Sequence, residues 1–465
     1  MSSLTDIGTN HDWGEEFERN YNQWRIDLAR RLRAGNTDDP PPRSPLLQAM
    51  GAAALEHART FLQRSGSCLI QITLLWDDPT WIVPVLAEQV DMGGFSLPSR
   101  EEIMAGIHLG LVIQELYAHV HRWREFTLRT TSTAHTSSAF VDVTPVHPSS
   151  PWTRKLHLQY IHNPNHAVHR IGEPSLFPGS APPIRDLLFF GVSWAWPSSS
   201  MLSSNLVNLR IHYNAYINQF RNPRPGPEAK MLSQFLDALV NLRTLALEVD
   251  LGSFDTDTIK LPRLYTLAIK SCTITLWAVE FLQNVQMPNL RILTLCAATE
   301  ETTYISLGDL LNKLIDLTDR EGSEDLLELD ELHLFNFVNG VDDEPLHRLY
   351  TQMPTVKTLT LGPGSYASNL NLAMGLLPTS YGLSDLQALP GLRTLVVFDI
   401  PKQFMRQLVL KRQLLADPLE ELYCRYPEDH DADDWQHQVK KFHRIGSLKS
   451  NRYTDVLARR WSYLV

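Results

Sequence analysis

Leu239-Val-Asn-Leu242-Arg-Thr-Leu245-Ala-Leu247 decides the fold, because the chain repeats it. It returns as Leu261-Pro-Arg-Leu264-Tyr-Thr-Leu267-Ala-Ile269 and as Met287-Pro-Asn-Leu290-Arg-Ile-Leu293-Thr-Leu295. It returns again as Met353-Pro-Thr-Val356-Lys-Thr-Leu359-Thr-Leu361 and as Leu389-Pro-Gly-Leu392-Arg-Thr-Leu395-Val-Val397. Shorter copies are Leu206-Val-Asn-Leu209-Arg-Ile211, Leu329-Asp-Glu-Leu332-His-Leu334 and Leu419-Glu-Glu-Leu422-Tyr-Cys424. The closing apolar-x-apolar triplet starts at 209, 245, 267, 293, 332, 359, 395 and 422, so the spacings run from 22 to 39 residues.

Leu-x-Leu alternates with period two, which predicts a short strand with one buried face. The Leu three residues earlier plugs the same core from the incoming turn. Pro262, Pro288, Pro354 and Pro390 stand ahead of the strand, where a missing N–H harms no ladder. Between the phrases, Thr275 to Val285 and Ser306 to Leu317 carry apolar residues at helical spacing. One strand with one helix cannot bury its own apolar surface, whereas a stack shares one core. Repeats of this length with a Leu-x-x-Leu-x-Leu core predict an α/β leucine-rich-repeat solenoid. Its curved parallel sheet forms one face, helices form the other, and a helical segment precedes it.

Outward from these repeats, the chain divides into four parts. Residues 1–45 read as a leader, with a helix over Phe17 to Leu32 and a proline-rich linker over 36–45. Residues 46–205 read as a helix running to Arg64-Ser-Gly66, a strand from Cys68 to Leu75, a helix from Ser99 to His121, and degenerate repeats. Leu156-His-Leu158 and Ile184 to Phe189 are the strands expected there. Regular repeats occupy 206–430, and 431–465 reads as a cap with a helix from Asp434 to Ile445.

Composition bounds the function. The 465 residues are 43% hydrophobic and 20% charged, as in folded globular chains. A net charge of -10 argues against a general nucleic-acid or anionic-membrane binder, whose footprint would be basic. Four scattered cysteines form no C-x-x-C and read as reduced thiols in the cytoplasm or nucleus. The N-terminus lacks the basic and apolar regions of a signal peptide.

The run Phe61-Leu-Gln-Arg64-Ser-Gly-Ser-Cys68-Leu-Ile-Gln-Ile72, then His121-Arg-Trp123-Arg124, then Leu-Pro-x-Leu-x-x-Leu phrases, resembles a known group. The chain is similar to the F-box/leucine-rich-repeat-like proteins of mushroom-forming (basidiomycete) fungi. Phe61 takes that family's usual Trp place and Cys68 its usual Pro place. The resemblance implies a substrate receptor that reaches a cullin ubiquitin ligase through an SKP-type linker. Residues 1–45 contain no stretch opening Leu-Pro-x-Glu like an F-box. The alternative is therefore a repeat scaffold without ligase coupling, and linker binding by residues 1–62 separates the two.

No G-x-S-x-G, H-E-x-x-H or C-x-x-C occurs, and no enzyme or cofactor is expected. His157, His162, His166 and His169 could ligate zinc. No cysteine or ordered acid completes a set, and Pro164 favours a polar loop, so metal binding is the distant alternative. Strand parity offers a better surface. If Leu245, Leu267, Leu293 and their equivalents point inward, two rows point outward. They place Lys270, His333, Phe335, Phe398, Tyr423 and Arg425 on one sheet face, as residue types that anchor protein partners. Truncating Phe335 and Tyr423 is expected to abolish binding of an unknown protein partner and leave stability nearly unchanged.

Overall fold

The computed structural model describes residues 43–76, 100–130, 153–160, 183–190, 205–212, 229–249, 254, 258–271, 276–297, 328–335, 343–362, 366–377, 388–414, 418–425 and 436–444. The expected helices over Phe17 to Leu32 and Ser306 to Leu317 lie outside them. Among the described residues, thirteen strands form one open parallel sheet, and each pairs with the next one in sequence. They are β1 (Ile70–Trp76), β2 (Trp123–Thr130), β3 (Lys155–Tyr160), β4 (Asp186–Phe190), β5 (Asn208–His212), β6 (Thr244–Glu248) and β8 (Thr266–Ser271). The sheet continues through β10 (Ile292–Ala297), β11 (Glu331–Phe335), β12 (Thr358–Leu361), β13 (Thr394–Phe398), β14 (Glu421–Arg425) and β15 (Lys441–Arg444). A separate parallel pair joins β7 (Ile259–Lys260) to β9 (Val285–Gln286). Neighbours in chain order pairing in parallel, with no closure, make a leucine-rich-repeat solenoid.

The register is that of the repeated phrase. Leu209, Leu245, Leu267, Leu293, Leu332, Leu359, Leu395 and Leu422 stand opposite one another in a single row. All eight side chains are buried. The turn ahead of each strand recurs too. Leu264 N donates to Leu261 O at 3.1 Å, Leu290 N to Met287 O at 3.0 Å and Leu392 N to Leu389 O at 3.0 Å. Proline suits the second position of such a turn, which explains Leu-Pro-x-Leu. Stacked turns approach closely: a Cβ on Gly391 would stand 2.5 Å from the Pro354 carbonyl oxygen.

Helices cover the inward face. These are α3 (Ala229–Asp237), α4 (Leu276–Asn284), α5 (Asp343–Thr351), α6 (Tyr366–Met374) and α7 (Lys402–Leu414). They bury Phe235, Trp277, Phe281, Leu349, Leu372 and Met405 among others. α4 matches the helix expected over Thr275 to Val285. Ahead of them α1 (Arg43–Ser65) packs on α2 (Arg100–Tyr117), with Arg59 Nε 3.2 Å from Glu115 Oε2. α1 opens at Arg43, so the last residues of the 36–45 linker are helical, and Pro45 is tolerated in a first turn. Gly66 closes α1 at φ 52°, a left-handed conformation that glycine adopts without strain.

The two motifs behind the family resemblance meet in space. Arg122, at the junction into β2, donates through Nη2 to Ser65 Oγ at 2.5 Å and through Nε to the Cys68 carbonyl at 3.0 Å. Trp123 donates from its indole N–H to the Leu116 carbonyl at 3.1 Å and stacks on Phe126 at 4.6 Å. These residues form the joint between the helical start and the sheet.

One element differs from expectation. The helix read over Asp434 to Ile445 is a short 3-10 turn at Gln436–Gln438 followed by strand β15. Trp435, Val439 and Phe442 fall at a spacing that a helix would also satisfy. Lys441-Phe-His-Arg also alternates, and Phe442 stands opposite Leu422 in the inward row, so pairing with β14 wins.

α7 contributes a brace that patterning does not announce. Arg412 is buried and donates to the carbonyls of Ala388, Leu389 and Leu392 at 3.2, 3.0 and 3.3 Å. It therefore holds the turn that leads into β13. Arg412→Ala leaves those buried acceptors short of donors and should destabilise the protein by about 2–4 kcal/mol. Chemical denaturation of wild type and variant measures the difference.

Candidate functional site

Parity holds on the outward face as it does on the inward one. Ala246, Ala268, Thr294, His333, Thr360, Val396 and Tyr423 form one outward row. Lys270, Cys296 and Phe335 continue a second, and Phe398 stands opposite Arg425. All six sequence-predicted residues therefore share one sheet face, although they do not form one site.

Phe335 and Phe398 are not presented to solvent. They are 7% and 1% exposed, and His333 is buried as well. Phe335 clusters with Ala246, Ala268 and Cys296, while Phe398 clusters with Val396 against Tyr423. The sheet thus has small apolar patches on its outward side, distinct from the main core. His333 Nε2 lies 3.2 Å from Glu331 Oε2, and its Nδ1 lies 2.9 Å from the Thr360 hydroxyl. Burial pushes the Cys296 thiol up to about 12, so it behaves as a small apolar group. Truncating Phe335 is therefore a packing change, contrary to the expectation of unchanged stability.

Tyr423 and Arg425 remain half-buried at the C-terminal end. Tyr423 donates to Glu421 Oε2 at 3.1 Å and stacks on His443 with ring centroids 4.4 Å apart. Arg425 pairs with Asp399 through both Nε and Nη2, and its Cζ stands 5.6 Å from the Phe398 ring centroid. Lys441 holds the Glu421 carboxyl below its ordinary range by a direct hydrogen bond.

The most organised polar chemistry lies toward the N-terminal half. His157 on β3 donates from Nε2 to Asp186 Oδ1 on β4 at 3.2 Å. Arg210 on β5 donates to both oxygens of the same carboxylate at 3.0 Å. The next strands repeat the device. His212 on β5 donates from Nδ1 to Glu248 Oε2 on β6 at 3.0 Å, and Lys270 on β8 stands 3.2 Å from Glu248 Oε1. Each is a histidine, a carboxylate and a cation carried by three successive strands. Burial pushes both carboxyls up, but the His157 hydrogen bond and the Arg210 charge more than offset this at Asp186. The His212 hydrogen bond and the Lys270 charge do the same at Glu248. Both acids are held below their ordinary values, hence charged at neutral pH. Beside the second triad, Phe190 is 41% exposed, with its ring 5.7 Å from that of His212.

Of these residues only Lys270 was singled out from the sequence as an anchor. The others follow the same alternation: His157 comes after inward Leu156, and Arg210 after inward Leu209. Extending the parity into the degenerate repeats would have found them. Of the four histidines weighed as zinc ligands, only His157 is among the described residues, where it engages Asp186, and the other three lie outside them. No group of three or more metal-ligating side chains occurs among the described residues. No helix among them is long and apolar enough to cross a membrane.

No protein-family model and no curated protein matches the chain. Among solved structures, the chain is similar to a Bacteroides fragilis protein determined as a structural-genomics target. The two share 12% identity over 71% of this chain and 73% of that one, with a TM-score of 0.31. A likeness of that size bears on no function.

Two outcomes follow from the site. Phe335→Ala and Phe398→Ala should each destabilise by about 3–5 kcal/mol, measured by chemical denaturation, while Tyr423→Ala should cost much less. The Glu248 carboxyl lies below its ordinary value of 4.5 when folded, so its contribution is full above that value and lost as pH falls through the folded value. Glu248→Gln should cost roughly 1–3 kcal/mol at neutral pH, and melting curves of wild type and variant should converge on acidification.

Proposed function

We propose that this chain is a non-catalytic recognition protein that captures a partner protein on the outward face of its sheet. The finer proposal is an F-box-like substrate receptor of an SCF-type ubiquitin ligase, working in the cytoplasm or nucleus. One observation supports the recognition surface most. The half-exposed ring of Phe190 adjoins His212 of a charge triad whose side chains are already fixed by pairing across strands. An aromatic anchor beside oriented charges suits a polar protein epitope, because little side-chain freedom remains to be lost on binding. Buried, reduced Cys296 and Cys424 fit an intracellular setting.

The ligase coupling rests on the sequence resemblance. At the helical end, Phe61, Ile107 and Leu111 are exposed apolar residues on α1 and α2, a surface that a linker protein could cover. The alternative is the same recognition surface on a scaffold without a ligase.

The test is co-purification of the full chain, and of the chain lacking residues 1–42, with an SKP-type linker and cullin. α1 is kept because Leu62 belongs to the core. The receptor reading expects the full chain to bring down both, and binding by neither form would leave the scaffold. Phe190→Ala combined with Lys270→Glu should weaken the captured protein partner at least about tenfold while linker binding persists. Equal capture by that variant would remove the sheet face as the binding surface.

A further inference from the structure

Arg124, near the start of β2, and the residue just before each of the following strands form a third row, along the leading edge of the sheet. Its backbone is pinned step by step. Arg154 N donates to Arg124 O at 2.9 Å, Arg185 N to Arg154 O at 2.8 Å, Val207 N to Arg185 O at 2.9 Å and Arg243 N to Val207 O at 2.8 Å. Four of these five successive positions are therefore arginines at fixed spacing. With about 4.8 Å between strands, the row from Arg124 to Arg243 spans about 19 Å.

We propose that this row, Arg124–Arg154–Arg185–Arg243, docks an extended acidic segment of a partner protein. The surface is separate from the sheet face and does not depend on the function proposed for it. Farther along the same edge the chain neutralises its own cations. Arg291 pairs with Glu328 at 2.9 Å, Lys357 with Asp330 at 2.6 Å and Lys440 with Glu420 at 3.3 Å. In the first stretch no described position of the row is an acid. Among the described residues Arg154, Arg185 and Arg243 make no side-chain ion pair, and Arg124 reaches only Glu125 at 4.0 Å. Arg124, Arg185 and Arg243 are exposed. Such a row is conspicuous in a chain of net charge -10.

The dimensions and the charge pattern choose the occupant. An extended peptide of about six residues covers the row, and guanidinium forks pair with carboxylates in two-point fashion. A longer polyanion would run on over Lys357–Asp330 and Lys440–Glu420, pairs already neutral, and gain nothing there. Among the described residues no aromatic side chain is interleaved between the four arginines, and Tyr265 adjoins only the Arg243 end of the row, a poor platform for stacking successive bases.

The experiment titrates fluorescein-labelled hexaglutamate against the full chain at low salt and reads anisotropy. Binding should be detectable and fall as salt is raised. Arg185→Glu with Arg243→Glu should weaken it at least about tenfold, while Lys357→Glu on the neutralised stretch should leave it nearly unchanged. Arg124→Glu alone, also at an exposed position, should give a smaller loss and serves if the double variant fails to fold. Absence of hexaglutamate binding, equal binding by the folded reversal variants, or tighter binding of hexathymidylate would overturn the proposal.

Discussion

Every outward-facing feature of this protein depends on the inward row. A parallel strand offers its neighbour a regular backbone ladder but nothing that fixes which face is which. Two buried apolar side chains per strand supply that choice. Leu245 and Leu247 point to the helices, so Ala246 and Glu248 must point away. Burying one such leucine stabilises by roughly 1.5–3 kcal/mol, and a one-residue slip would expose both at once. Side chains on the other face are thereby held in rows about 4.8 Å apart.

That spacing explains what the outward face does with charge. A carboxylate on one strand is reached from both sides by the strands next to it. His157 and Arg210 flank Asp186, while His212 and Lys270 flank Glu248. Each acid is desolvated, which alone would favour protonation, and each is kept charged by its two neighbours. Where the outward residues are small or apolar, as at Ala246, Ala268 and Val396, the face carries apolar patches instead. One sheet face therefore holds both a charged tract and apolar tracts, assigned strand by strand through the outward residues of each repeat.

Legibility followed the strength of the alternation. From Leu206 onward the phrase has its leading apolar residue and its closing apolar-x-apolar triplet, with a proline in four copies, and register and parity could be read directly. The early strands were harder. β4 reads Asp186-Leu-Leu-Phe-Phe, in which Leu188 faces outward yet is buried, so the alternation vanishes into an apolar run. The outward residues His157, Asp186 and Arg210 went unremarked as a group because strands 24–29 residues apart in sequence meet only in the sheet. At the other end, Val439 and Phe442 satisfied a helical period by chance, and only pairing with β14 shows β15 as a strand. Parity identifies the face of a residue but not its exposure, which is why Phe335 and Phe398 seemed available as anchors.

Amide hydrogen exchange across the strands is the most direct test of a single sheet joining degenerate and regular repeats. One continuous sheet predicts that residues 123–130, 155–160, 186–190 and 208–212 exchange slowly, with protection comparable to that of 244–248 and 394–398. Exchange of the early strands at the unprotected rate, beside a protected later half, would contradict it. The charge triads of β3 to β8 would then have no common sheet to stand on.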